Sequence, residues 1–235
     1  MNKKNNNVLI IFVKAPRLGT VKTRLQPELT AEQSLQLYQA MVEDLVHQFD
    51  GAGFCDLKIF FHPTDACKEM KNWLGDGLEY FPQHGDDLGE KMHHAIAEML
   101  NQKNKKVALI GSDIPTLDSA TLVRAFTSLD EYDVVIGSCK DGGYYLIGMK
   151  QAYPVLFEGI TWSSNLVFQQ TIQNARSAAI EVVQLEKKSD IDTYHDVVDL
   201  WNYVKKRNMK GAFSFKSKTY EVLKTFFEMK NTASQ

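Results

Sequence analysis

Apolar and polar positions follow two periods along this chain, and the switches between them lay out most of its elements. Val8 to Val13 is an unbroken run of six apolar residues, the pattern of a strand buried on both faces. After a polar loop, TAEQSLQLYQAMVEDLVHQF places Tyr38, Met41, Val42, Leu45, Val46 and Phe49 at three- and four-residue steps, one buried helical stripe. Thr30 and Gln33 form a capping box at its start. LKIFF, LEYF, KVALIG, DVVIGS, YYLIGM and IEVVQL read as further strands. Helices are expected over ACKEMKNWL, DDLGEKMHHAIAEML, Ser119 to Leu129, SSNLVFQQTIQNARSA, TYHDVVDLWNYVKKR and a tail segment around YEVLKTFFEM.

Strands separated by helices of this length imply βαβ units. The expectation is an α/β fold of three layers, α/β/α, with a mainly parallel twisted sheet. DVVIGS and YYLIGM, joined through Lys140–Gly143, predict an antiparallel insertion in that sheet. No repeat, low-complexity linker or break in composition divides the 235 residues, so a single domain is expected over 1–235.

Composition narrows the function classes. A 44% hydrophobic and 24% charged chain of net charge -2 is ordinary for a globular protein and lacks the basic balance of a nucleic-acid binder. The apolar runs are strand-sized, far short of the roughly 20 residues of a spanning helix, and no signal core follows the polar N-terminus. A cytoplasmic location is expected, with neither membrane nor nucleic acid as partner. Cys55, Cys67 and Cys139 are odd in number and lack the spacing of a zinc site or disulfide framework.

In open α/β sheets ligands bind beyond the carboxyl ends of strands. Four such places carry chemistry here. The first is the loop after Val13, with Lys14, Arg17, Gly19, Lys22 and Arg24. It matches neither a Walker A loop nor GxGxxG. Gly19 permits a tight bend, and Lys22 and Arg24 offer charge to a phosphate; a solvated basic loop is the plainer alternative. In GSDIPTLD, Asp113 leaves a buried strand where a carboxylate can hold Mg²⁺ or Mn²⁺, although Asp is common in such turns anyway. Asp190 and Asp192 stand at another strand-to-helix junction, as metal ligands or, for Asp192, as an N-cap. The fourth place joins the turn Asp141–Gly143 to Trp162, Ser163 and Ser164, expected to open a helix whose N-terminus suits an anion or is simply well capped.

Taken together, FVKAPRLGTVKTRL, QHGDDLGEKM, GSDIPTL, DGGYYLIG, ITWSSNLVFQQT and SDIDTYHDV resemble the nucleotide-diphospho-sugar transferase superfamily, of GT-A or Rossmann-like fold. Within it the chain is most similar to a bacterial group of uncharacterised function, often labelled glycosyltransferases or radical-SAM/selenodomain-associated transferases. The motifs run in order from about residue 8 to 200. The resemblance implies a nucleotide-binding N-terminal half and an acceptor-binding C-terminal half. It puts Lys14, Lys22 and Arg24 on the nucleotide's phosphates, and Gln83, Asp87 and Gly89 near base and ribose. It makes Asp113 a metal ligand that Asp192 could join, and lines the acceptor side with Gly142, Gly143, Tyr144, Trp162 and Ser163. Three positions depart from the group's pattern: Lys91 replaces an arginine, GSC around Cys139 replaces GPA, and Gly111 stands where many glycosyltransferases have the first Asp of DxD.

Two chemistries fit this set, both dependent on Mg²⁺ or Mn²⁺ and served by Lys22, Arg24 and Asp113. One is nucleotidyl transfer from a nucleoside triphosphate to a small phosphorylated or hydroxylated acceptor. VKTRLQPELTAEQ with SDIP looks more like phospholactate and molybdopterin guanylyltransferases than like DxD enzymes, and favours it. The other is glycosyl transfer from a sugar nucleotide. A nucleotide-binding module without catalysis is the third class, against which the retained charges argue. The base, the acceptor and the oligomeric state are not written in the sequence.

Overall fold

The computed structural model describes residues 6–102, 106–209 and 217–232. The strands are β1 (Asn7–Lys14), β2 (Asp56–His62), β3 (Glu79–Pro82), β4 (Lys106–Gly111), β5 (Val134–Cys139), β6 (Tyr144–Met149) and β7 (Val182–Lys188). The helices are α1 (Ala31–Phe49), α2 (Cys67–Leu74), α3 (Leu88–Asn101), α4 (Ser119–Ser128), α5 (Val167–Ser177), α6 (Tyr194–Met209) and α7 (Lys218–Thr232). Contacts gather these into two compact units interleaved along the chain. The first comprises Met1–Ala15, Gln48–Ser112 and Thr116–Ser189, the second Pro16–His47, Asp113–Pro115 and Asp190–Gln235.

The first unit holds the whole sheet, in the order β3-β2-β1-β4-β6-β5-β7. β1 lies parallel between β2 and β4, which is why Val8 to Ile11 and Val13 are at most 1% exposed. β6 is antiparallel to both β4 and β5, and β5 is parallel to β7. The sheet is thus mainly parallel with an antiparallel insertion, as the alternation of elements predicts. Val8 and Ile10 share one apolar cluster with Phe60, Leu109, Ile136 and Ile147 and with Met92, Ile96 and Met99 of α3. Leu9 and Ile11, alternating with them, point to the other face. Phe60 stacks on Phe81 at 5.0 Å between ring centroids.

The second unit is helical. Leu25, Leu29, Leu37 and Met41 from its early segment pack with Ile191, Val197, Leu200, Val204, Leu223 and Phe226 from its late one. The capping box of α1 is formed in both directions: Thr30 N donates to Gln33 Oε1 at 2.9 Å, and Gln33 N to Thr30 Oγ1 at 3.2 Å. α7 is capped by a distant residue of α1. Asp44 accepts from the Ser217 hydroxyl at 2.8 Å and from the Lys218 and Thr219 amides at 2.8 and 2.9 Å. Trp201 of α6 stacks on Tyr220 and Phe227 of α7, at 5.7 and 5.5 Å.

Two expected helix starts move. α5 opens at Val167 rather than at the serines, because Ser163 sits in the left-handed region with φ 63°. Ser164 Oγ donates to Thr161 O at 2.6 Å and accepts from Leu166 N at 3.2 Å, closing a turn before the helix. Trp162, Ser163 and Ser164 therefore do not form a helix N-terminus for an anion. At α6 the cap is Thr193, not Asp192: Asp196 N donates to Thr193 Oγ1 at 3.4 Å while Thr193 N donates to Asp196 Oδ2 at 2.7 Å. That reciprocal pair relieves Asp192 of capping.

Candidate functional site

Lys22, Arg24, Asp113 and Asp192, singled out on separate stretches of sequence, meet in the second unit. The loop carrying the two cations bends at Gly19, with φ 74°, and again at Lys22, which adopts φ 51° and ψ 38°. Lys22 then heads a 3-10 turn, Thr23–Leu25, whose Leu25 is fully buried and anchors the loop in the helical core. A left-handed lysine is uncommon, since its Cβ crowds the backbone there.

The contacts of Lys22 account for its conformation. Its side chain is only 5% exposed, and Nζ lies 2.8 Å from Asp113 Oδ1 and 3.9 Å from Asp192 Oδ1. Nζ also donates to the carbonyl of Ile191. Arg24 Nη1 donates to Asp192 Oδ2 at 2.8 Å, from a side chain that is 74% exposed. Asp113 and Asp192 are held side by side through the backbone as well, since Ile191 N donates to Asp113 O at 3.1 Å. Two cations and two carboxylates form one neutral quartet from three chain segments. The Ile191 carbonyl belongs to it too, and sequence reading had no means of finding it: a backbone oxygen leaves no signature in residue type.

The carboxylates are 42% and 32% exposed, so each keeps lone pairs turned to solvent. Carboxylate oxygens are the donor type that Mg²⁺ and Mn²⁺ take, so Asp113 and Asp192 are the two residues of the quartet that could hold such an ion. Among the described residues Arg24 pairs through one nitrogen with Asp192, and the rest of its guanidinium is the kind of donor fork that can take a phosphate.

Gly19 and Asp190 also belong to the second unit, and the remaining expected site residues lie in the first. Lys14 ends β1 and is exposed. Gln83, Asp87 and Gly89 each have a structural task. Gln83 Nε2 donates to Phe60 O at 2.8 Å, Asp87 caps α3 by accepting from Glu90 N at 2.8 Å, and Gly89 makes room for Trp162. A Cβ on Gly89 would stand 2.4 Å from the indole Cζ2. The segment expected near base and ribose therefore touches an expected acceptor residue directly. Trp162 Nε1 is buried without a hydrogen-bond partner. Gly142, with φ 94°, runs so close to Asn165 that a Cβ would meet its carbonyl at 2.1 Å, and Phe168 N donates to Gly142 O at 2.9 Å. Gly143 N donates to Asp141 Oδ1 at 2.9 Å.

Tyr144 and Tyr145 alternate, strand fashion. Tyr145 is 3% exposed and donates to Glu186 O at 3.1 Å; burial pushes its phenol up to about 12. Tyr144 packs against the α3 side of the sheet, and burial holds its phenol well above the usual range. His93 and His94 diverge as adjacent helical positions do, His94 exposed with Nδ1 3.0 Å from His84 O, His93 half-buried beside Phe157 at 6.1 Å.

The parallel sheet with its antiparallel insertion is an α/β architecture of nucleotide-diphospho-sugar transferase type. The structure of a Desulfovibrio desulfuricans G20 protein provisionally called a nucleotide-diphospho-sugar transferase superposes with a TM-score of 0.87 at 35% identity, covering 94% of this chain and 95% of that one. The chain belongs to the family described as uncharacterized proteins conserved in bacteria, DUF2064, whose model matches residues 45–164. It is also 23% identical over 158 residues to 2-phospho-L-lactate guanylyltransferase of Methanocaldococcus jannaschii, across 66% of this chain and 67% of that protein. A CMP:2-keto-3-deoxy-manno-octonic acid synthetase solved with CTP shares the fold alone, at TM-score 0.53 and 8% identity over 86% of this chain and 99% of that one. Among the described residues no helix is long and apolar enough to cross a membrane.

Proposed function

We propose that the protein is a metal-dependent nucleotidyltransferase, moving a nucleoside monophosphate from a triphosphate to a small phosphorylated or hydroxylated acceptor. Similarity to a guanylyltransferase and a fold shared with a CTP-binding synthetase support nucleotidyl transfer as the class. The observation that carries the reading is the quartet: Lys22 and Arg24 are tethered to Asp113 and Asp192 within one small cluster.

With a phosphate as acceptor, one of its oxygens adds to the α-phosphorus while the bond from that phosphorus to the β-phosphate bridging oxygen breaks. The electron pair leaves on pyrophosphate. Lys22 and Arg24 stabilise the charge growing on that leaving group, a contribution realised in the transition state. Asp113 and Asp192 would hold Mg²⁺ or Mn²⁺, which when bound draws charge from the phosphate oxygens. By the family resemblance alone, Lys14 is assigned to the phosphates, Gln83, Asp87 and Gly89 to base and ribose, and Gly142, Gly143, Tyr144, Trp162 and Ser163 to the acceptor. Gly19 is the bend of the proposed phosphate loop.

The name given to the Desulfovibrio relative favours a second reading, glycosyl transfer from a sugar nucleotide. One panel separates them: thermal shifts in Mg²⁺ with each nucleoside triphosphate and with UDP- and GDP-sugars, followed by pyrophosphate release. A ligand at a hundred times its Kd stabilises by about 2.7 kcal/mol, several degrees in a chain of this size. One triphosphate giving an Mg²⁺-dependent shift and pyrophosphate supports nucleotidyl transfer and names the base. A shift with a sugar nucleotide alone moves the reading to glycosyl transfer. Asp113→Asn is expected to lose metal-dependent turnover with the fold intact; an active Asp113→Asn protein removes the metal role.

A further inference from the structure

From the neutral quartet we infer that Lys22 is a built-in counter-ion that holds the metal-binding carboxylates until a triphosphate displaces it, so that metal and nucleotide enter together. The inference rests on the nucleotidyl-transfer reading and adds its order of binding.

Lys22 Nζ reaches an oxygen of each carboxylate, and Arg24 covers the second oxygen of Asp192. With both cations in place the cluster carries no net charge. A free divalent ion arriving there meets carboxylates already neutralised, and its approach to Asp113 is opposed by an ammonium 2.8 Å from Oδ1. The Lys22 side chain is 5% exposed, so water screens that opposition poorly.

A magnesium-bound triphosphate brings different charges. Its phosphate oxygens offer Lys22 and Arg24 new anionic partners, which frees the two carboxylates for the ion. Charge is then balanced at each stage. Lys22 can make this exchange without losing its bearings, because its bond to the Ile191 carbonyl, a neutral acceptor, survives the swap. The left-handed backbone at φ 51° fixes where its side chain starts. Arg24, 74% exposed and held at one nitrogen, is the looser member of the pair.

The test is Mn²⁺ binding followed by electron paramagnetic resonance, with no nucleotide present, for the wild-type chain, Lys22→Met and Arg24→Ala. Lys22→Met is expected to bind Mn²⁺ alone at least about tenfold more tightly than the wild type, by release of the Asp113 carboxylate. Arg24→Ala is expected to gain by a smaller factor and, being a change at an exposed side chain, keeps the comparison open if Lys22→Met does not fold. Inorganic tripolyphosphate, which carries no base, is expected to raise the Mn²⁺ affinity of the wild type and much less that of Lys22→Met. Equal Mn²⁺ affinity in wild type and variants overturns the inference, as does Mn²⁺ binding to Lys22→Met that Asp113→Asn does not remove. If the Mn²⁺ series behaves as expected but no triphosphate yields pyrophosphate, the counter-ion role stands and the nucleotidyl-transfer reading falls. Pyrophosphate release with equal Mn²⁺ affinities has the opposite meaning.

Discussion

The two compact units use the same kinds of contact in different arrangements. In the sheet unit the strands are neighbours in a regular ladder, and an apolar cluster centred on β1, β4 and α3 fills one face. In the helical unit three segments, from residue 16, from residue 113 and from residue 190 onward, are fastened by a smaller apolar cluster together with ion pairs and a remote cap. Ion pairs occur in the sheet unit too, Lys58 with Glu79 and Lys106 with Asp130, but each joins one cation to one carboxylate. In the helical unit Lys22 and Arg24 converge on Asp113 and Asp192, so that two cations and two carboxylates share one cluster. Regular packing fills the core of the sheet unit, and in the helical unit the charges of three segments gather in one cluster.

The largest expected effect tests the first half of that contrast. Phe60 is 1% exposed, and Phe60→Ala should lower stability by about 3–5 kcal/mol, read as a shift of the denaturant midpoint. A loss below about 1 kcal/mol would mean that the sheet cluster is less tightly packed than its burial implies. Next, Asp44→Ala in the helical unit removes the only acceptor described for three donors at the start of α7, for an expected cost of about 0.5–2 kcal/mol. Its signature is local: amide exchange in α7 should speed up while β1 and β4 stay protected. Uniform acceleration would show that α7 opens only with the whole chain.

Arg24→Ala sharpens the contrast from the functional side. Its ion pair with Asp192 is exposed, so stability should change by less than about 1 kcal/mol. Triphosphate affinity should nevertheless fall roughly tenfold, and the loss should shrink at high salt as screening weakens the charge contact anyway. An unchanged affinity would take Arg24 out of the phosphate loop.

The same contrast explains what could be read in the sequence. β1, β4 and the β5–β6 insertion are legible because burial on both faces demands unbroken apolar runs. The capping box at Thr30 and Gln33 is legible because both partners lie within one turn. The serines at 163 and 164 misled because they have the right types for a cap. Packing of the Gly142 turn onto Asn165, far off in sequence, accompanies a left-handed Ser163 instead. Asp192 misled in the same way, since Thr193 and Asp196 satisfy the α6 terminus between them. In the quartet the residue types were legible and the pairing was not: Lys22 and Asp113 are brought together by tertiary structure. No local pattern encodes a contact across that much chain.

The smallest expected effect concerns acid. Burial, seconded by the neighbouring charge on His94, lowers the pKa of His93 from its ordinary value, and Glu158 opposes this only in part. The sign follows from linkage. Folded chains bind fewer protons at His93 than unfolded ones, so its contribution is complete above the unfolded pKa near 6.5. It is lost as the pH falls from there through the lowered folded value. His93 belongs to α3, in the sheet unit, and its ring lies beside Phe157. Protonation would place a charge at that packing, so the first amides to lose protection should be those of α3. His93→Gln cannot take the charge and should show a smaller drop in melting temperature between pH 7.5 and pH 5 than the wild type does. If the two drops are equal, acid sensitivity arises elsewhere, and amide exchange at pH 5 then shows which unit opens first.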